Sequence, residues 1–164
     1  MKFLGWMYEL PISYWIREST WGHPIMLCFH AIGMAVVVGI VVMLAIRVAT
    51  GWPKGLTAGS FEPLLRLAQI GFVMNFLSGL ILFMANAPSL TLNWTFQIKI
   101  VLIILGAVLV WWQSRVLIGT PEKPGSEAVI SVPTRIIAAL TIVCWIAAVV
   151  AGRYIAYTLQ KVFL

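Results

Sequence analysis

Ile25-Met-Leu-Cys-Phe-His30-Ala-Ile-Gly33-Met-Ala-Val-Val-Val-Gly39-Ile-Val-Val-Met-Leu-Ala45 contains no Asp, Glu, Lys or Arg. Its length, ~20 residues, is what a helix needs to cross the ~30 Å hydrocarbon core of a bilayer, so the run predicts a spanning helix and decides the fold class. It also places His30 at membrane depth. Ionisable groups are costly there, face the interior of a helical bundle and by default mark functional sites.

The whole composition points the same way. The chain has 164 residues, 62% of them hydrophobic and 10% charged, with a mean hydropathy of +1.00, which excludes the ordinary soluble classes. One membrane domain over residues 1–164 is expected, with no room for a soluble catalytic module. A net charge of +6 could serve nucleic acid, but the Lys and Arg are scattered through connecting segments. They read as topology signals, and no nucleic-acid partner is expected. Cys28 and Cys144 lie inside apolar runs, where cysteine behaves as a small hydrophobe rather than as half of a disulfide framework. A continuous apolar stretch ending in a small-residue cleavage site is not found near residue 1, so a removable signal peptide is not expected.

The fold predicted is an all-α, integral membrane four-helix transmembrane bundle with an N-terminal interfacial helix. Residues 1–22 mix Trp and Tyr with Lys2, Glu9, Arg17 and Glu18 around Pro11, a pattern suited to the headgroup level, and Ser13 can cap a short helix there. The first span is expected over about residues 24–46, with Pro24 in its first turn. Gly and Pro then mark a loop. Further spans are expected over about 67–84, 94–112 and 134–157, the last two separated by the turn-rich Gly119-Thr-Pro-Glu-Lys-Pro-Gly-Ser-Glu127. Four spans put both termini on one side. The loops opposite them carry Arg47, Lys54, Arg66, Arg115, Lys123 and Arg135, against Lys2, Arg17 and Lys161 on the terminal side. The positive-inside rule therefore places those loops in the cytoplasm and both termini in the periplasm or outside.

Counted from the terminal side, His30 lies ~9 Å into its helix, Lys99 lies ~8 Å into the third, and Arg153 comes near the same end of the fourth. Three basic groups at one depth point to a shared purpose, and the reading is a b-type haem held by His30. His23 and His30 are seven residues apart, on one helix face with ~10 Å between them, so they cannot sandwich one iron. The second axial ligand must come from another helix, and Lys99 is the best placed. Gly33, one turn from His30, and Gly106 would give a flat macrocycle room. Arg153, with Arg17 or His23 nearer the interface, could pair with propionates. Bland readings stand beside these: His30 as an interhelical hydrogen-bonder, His23 as a solvated group, Lys99 and Arg153 snorkelling to the interface. Ala31, Ala35 and Gly39 form a small-residue ladder for close packing, within the bundle or in a dimer.

The run from His30 through Gly33 and Gly39 to Arg47, the Ser78-Gly79 pair, Trp94 with Lys99, and Gly152-Arg153 with Ala156-Tyr157 resemble a bacterial family of small uncharacterised four-helix membrane proteins. More distantly, the pattern is similar to the haem-binding membrane protoporphyrinogen IX oxidases and the copper-resistance D-type membrane proteins. In the oxidase group, an early-helix histidine and a third-helix lysine are the haem-associated pair. The resemblance implies those roles for His30 and Lys99. The ending of the first helix departs from that group, so the oxidase activity does not carry over with it.

The expected function is therefore haem-dependent electron transfer or redox chemistry in the lipid bilayer, with a quinone or periplasmic redox partner, as a homo-oligomer or a subunit of a larger membrane complex. The rivals are a porphyrinogen oxidase-like enzyme, a cofactor-free membrane subunit or anchor, and copper passage through His23 and Met26.

Overall fold

The computed structural model describes residues 2–50, 52, 61–119 and 132–160, and among these there are helices and turns but no strand. The elements are α1 (Lys2–Glu9), α2 (Pro11–Glu18), α3 (Gly22–Thr50), α4 (Glu62–Ala85), α5 (Ala87–Thr91), α6 (Trp94–Gly119) and α7 (Val132–Gln160). Four of them, α3, α4, α6 and α7, are long and apolar enough to cross a membrane. A helix is present at each of the four expected spans, extended by a few residues. The turn-rich core at residues 120–127 lies outside the described residues.

Helix ends follow local chemistry. Pro11 opens α2, its fixed φ being suited to a first helical turn. Ser13 therefore lies inside the helix rather than capping it. Its buried hydroxyl instead donates to the Met7 carbonyl at 2.7 Å and ties α2 back onto α1. The cap comes one helix later: Ser19 Oγ accepts from the N–H groups of Trp21 (3.3 Å) and Gly22 (3.1 Å), satisfying donors at the start of α3. At the start of α6, Asn93 Oδ1 accepts from Thr95 N at 2.9 Å.

The four long helices pack as a row, α4 on α3, α3 on α7 and α7 on α6, with α6 also brushing α3. Chain neighbours α4 and α6 meet through α5 and through stacked Phe83 and Phe96, whose centroids are 5.4 Å apart. The core lies along α3 and α7, where Val37 and Val41 pack on Trp145 and where Ala45 and Val48 pack on Ala138. The outer faces remain apolar: Ile70 is 65% exposed, Val101 63% and Val143 61%. Such a surface suits lipid, not water. The α1–α2 pair packs on α3, α4 and α5 and turns Phe3, Trp6, Tyr14 and Trp15 outward.

Candidate functional site

The pairing of Val37 with Trp145, and of Gly106 with the same indole, fixes the levels of three helices. Seven residues back along α3 and α6, and seven forward along the antiparallel α7, lead to His30, Lys99 and Gly152. They occupy one layer near the terminal ends of the spans. For two of them the side-chain geometry bears this out: Lys99 Nζ would lie 3.1 Å from a Cβ at Gly152.

His30 is half-buried on α3, its ring against Gly79 of α4, where a Cβ would come within 2.9 Å of Cε1. Its Nδ1 lies 3.0 Å from the Asn75 carbonyl and 3.3 Å from Ser78 Oγ. A carbonyl can only accept, so Nδ1 carries the proton. In the neutral ring, Nε2 is then left with its lone pair. Ser78 Oγ donates in turn to the Met74 carbonyl at 2.7 Å. The Asn75 side chain holds a buried Oδ1 that has no partner among the described residues.

Lys99 is half-buried, and no carboxylate pairs with it or with Arg153 among the described residues. An ion pair joins Glu62 and Arg66 at the far end of α4. The layer is thus basic, set in apolar helices, and offers an acceptor nitrogen on one wall and the Lys99 amino group on the other.

Of the residues proposed from sequence, His30 and Lys99 lie at one level, His30 against α4 and Lys99 against α7. Arg153 shares their level but is exposed. His23 is exposed at the start of α3. Arg17 is engaged elsewhere, donating to the Tyr8 carbonyl at 2.7 Å with its guanidinium 3.7 Å over the Tyr8 ring. Gly33 does not open space beside His30: a Cβ there would meet Asn75 N and the Gly71 carbonyl at 2.8 Å, so α4 backbone fills the place. Gly106 is filled likewise by the Trp145 indole, at 2.9 Å. The residues missed were Asn75, Ser78, Gly79 and Gly152. The first three were visible as polar or small groups within an apolar run, but which face they took depended on how α4 sits against α3. No three His, Cys, Asp or Glu side chains come together among the described residues. A shallow concavity of ≈ 600 Å³, lined by Arg66, Gln69, Ile70, Val73, Met74 and Leu77, lies on α4 away from the basic layer.

Fold and site together define a class: an all-helical protein with four helices able to span a bilayer and a basic polar layer near one end of them. No protein-family model matches the chain, and no curated protein or solved structure matches it either.

Proposed function

We propose that the chain is a multi-pass protein of the bacterial inner membrane that binds b-type haem through His30 and takes part in electron transfer. The observation that carries this reading is the bond from His30 Nδ1–H to the Asn75 carbonyl. Metal-binding histidines almost always donate their other ring N–H to such a partner, which fixes the tautomer and raises the basicity of the ligating nitrogen. The donor set fits: Nε2 of His30 would hold the haem iron, Lys99 in its neutral form would offer a second nitrogen in the same layer, and Arg153 would be the cation for a propionate. When bound, the haem supplies one-electron chemistry. The protein's part is to hold the imidazole by Asn75 and Ser78 and to surround it with apolar helix. In the same reading the α1–α2 pair lies in the headgroup zone with its aromatic face against lipid, both termini are periplasmic, and a quinone or periplasmic protein exchanges electrons with the layer.

A cofactor-free membrane subunit is the second reading. It is favoured by the filled positions at Gly33 and Gly106, which leave a macrocycle less room than the sequence promised.

The reduced-minus-oxidised absorbance spectrum of detergent-purified protein, expressed with ample haem, separates the two. A b-type spectrum is expected in wild type and none in His30→Ala; Lys99→Ala shifts the bands if the amine is the second ligand. Colourless preparations throughout would leave the subunit reading in its place.

A further inference from the structure

The concavity on α4, ≈ 600 Å³ in volume, changes character along its length: Arg66 and Gln69 line one end, and Ile70, Val73, Met74 and Leu77 the rest. Glu62 joins the polar end through its 2.7 Å ion pair with Arg66. At 3.6 residues per turn these positions share the face of α4 turned away from α3, whose seam takes Gly71, Asn75 and Ser78 instead. That outer face is open, with Glu62, Arg66, Gln69, Ile70, Val73 and Leu77 all exposed.

α4 has 24 residues, ~36 Å at the helical rise, against a hydrocarbon core of ~30 Å. With the helix centred in that core, Arg66 falls within a turn of its boundary and Gln69 about one turn deeper. Leu77 lies ~16 Å along the axis from Arg66, about the depth of one leaflet. From the start of α4 inward, the face therefore presents an ion pair, then an amide, then hydrocarbon.

The amide is the informative group. Gln69 makes no hydrogen bond among the described residues, and an amide among apolar groups costs free energy until something bonds it. Arg66 also has donors to spare, since its bond to Glu62 uses one of five, and the carboxylate keeps lone pairs for a second donor. A neutral pair of opposed charges complements a neutral headgroup of opposed charges. A phosphate can accept from Arg66, the ammonium beside it can donate to Glu62, and an ester carbonyl can accept from the Gln69 amide. An acyl chain then lies along Ile70, Val73, Met74 and Leu77. A choline headgroup has no N–H to give Glu62, and phosphatidylglycerol brings net negative charge against it. From this order we propose that the outer face of α4 binds one phosphatidylethanolamine molecule from the leaflet at the α3–α4 connection. The site rests on the reading that the long helices span a bilayer, and not on haem.

The test uses the full chain in vesicles of equal parts phosphatidylethanolamine, phosphatidylglycerol and phosphatidylcholine with identical acyl chains. After extraction in a mild detergent, native mass spectrometry counts the lipids that stay bound. Wild type is expected to hold one phosphatidylethanolamine, enriched about threefold or more over either other lipid. Gln69→Leu should lower that retention about fivefold, the order of one hydrogen bond. Glu62→Gln leaves the arginine unbalanced and should turn the preference toward phosphatidylglycerol. Arg135→Gln, which removes an exposed arginine at the start of α7 on the same side of the bilayer, is expected to change nothing. Equal retention of the three lipids by wild type overturns the proposal. So does a loss in Arg135→Gln as large as that in Gln69→Leu, or wild type recovered as a lipid-free dimer. Release of wild type from the vesicles by alkaline carbonate would overturn the spanning reading and the site with it. The haem spectrum of Gln69→Leu is expected to match wild type, so loss of lipid and loss of haem are told apart.

Discussion

The α3–α4 seam and the α6–α7 seam are both built on glycine, and they use it in opposite ways. Between α3 and α4, Gly33 faces the Gly71 carbonyl and the Asn75 backbone, so glycine brings main chain against main chain. Between α6 and α7, Gly106 and Gly152 receive side chains, the indole of Trp145 and the amino end of Lys99. Gly79 follows the second pattern within the first seam, receiving His30. In lipid, where hydrophobic burial gives helices little reason to associate, close packing and polar contacts must hold them together. One seam relies on the former, and the other leaves space for functional side chains.

That contrast can be broken experimentally. Gly33→Leu is expected to do the most harm, because backbone cannot yield to it: about 3 kcal/mol, at the upper end of overpacking costs, read as a fall in the detergent-denaturation midpoint. Gly106→Ala presses on a rigid indole and should cost about 2 kcal/mol by the same measurement. Equal losses at Gly33 and at Gly152, where the far end of a lysine can move aside, would contradict the contrast. Gly79→Ala leaves the helices paired but crowds the His30 ring, and haem titration is expected to show about tenfold weaker binding, ~1.4 kcal/mol. Arg66→Ala removes an exposed ion pair remote from both seams, and the denaturation midpoint should register less than about 0.5 kcal/mol.

The long helices were legible because a charge-free run of span length has few other fates. The shared level of His30 and Lys99 was legible too, since rise per residue needs no knowledge of neighbours. Rotation about each helix axis was not. Whether Gly33 or Gly79 lies beside His30 depends on how two nearly all-apolar surfaces interdigitate, and when a helix is hydrophobic on every side periodicity cannot choose a face. The same ambiguity hid Gly152 as the seat of Lys99. Ser13 was misplaced for a simpler reason: two helix-start signals stood two residues apart, and Pro11 prevailed. The α5 turn, only five residues long, carried too little pattern to separate from its loop.

The order of the row also bears on how the chain is made. Its two most extensive seams, α3 with α4 and α6 with α7, each join helices that follow one another directly in sequence, whereas α3 with α7 joins the first long helix to the last. Each hairpin can therefore pair as soon as its second helix leaves the ribosome. The joint at Ala45, Val48 and Ala138 has to wait for the end of synthesis. Until it closes, the wall bearing His30 and the wall bearing Lys99 belong to separate units, so the basic layer is completed only in the last step of assembly.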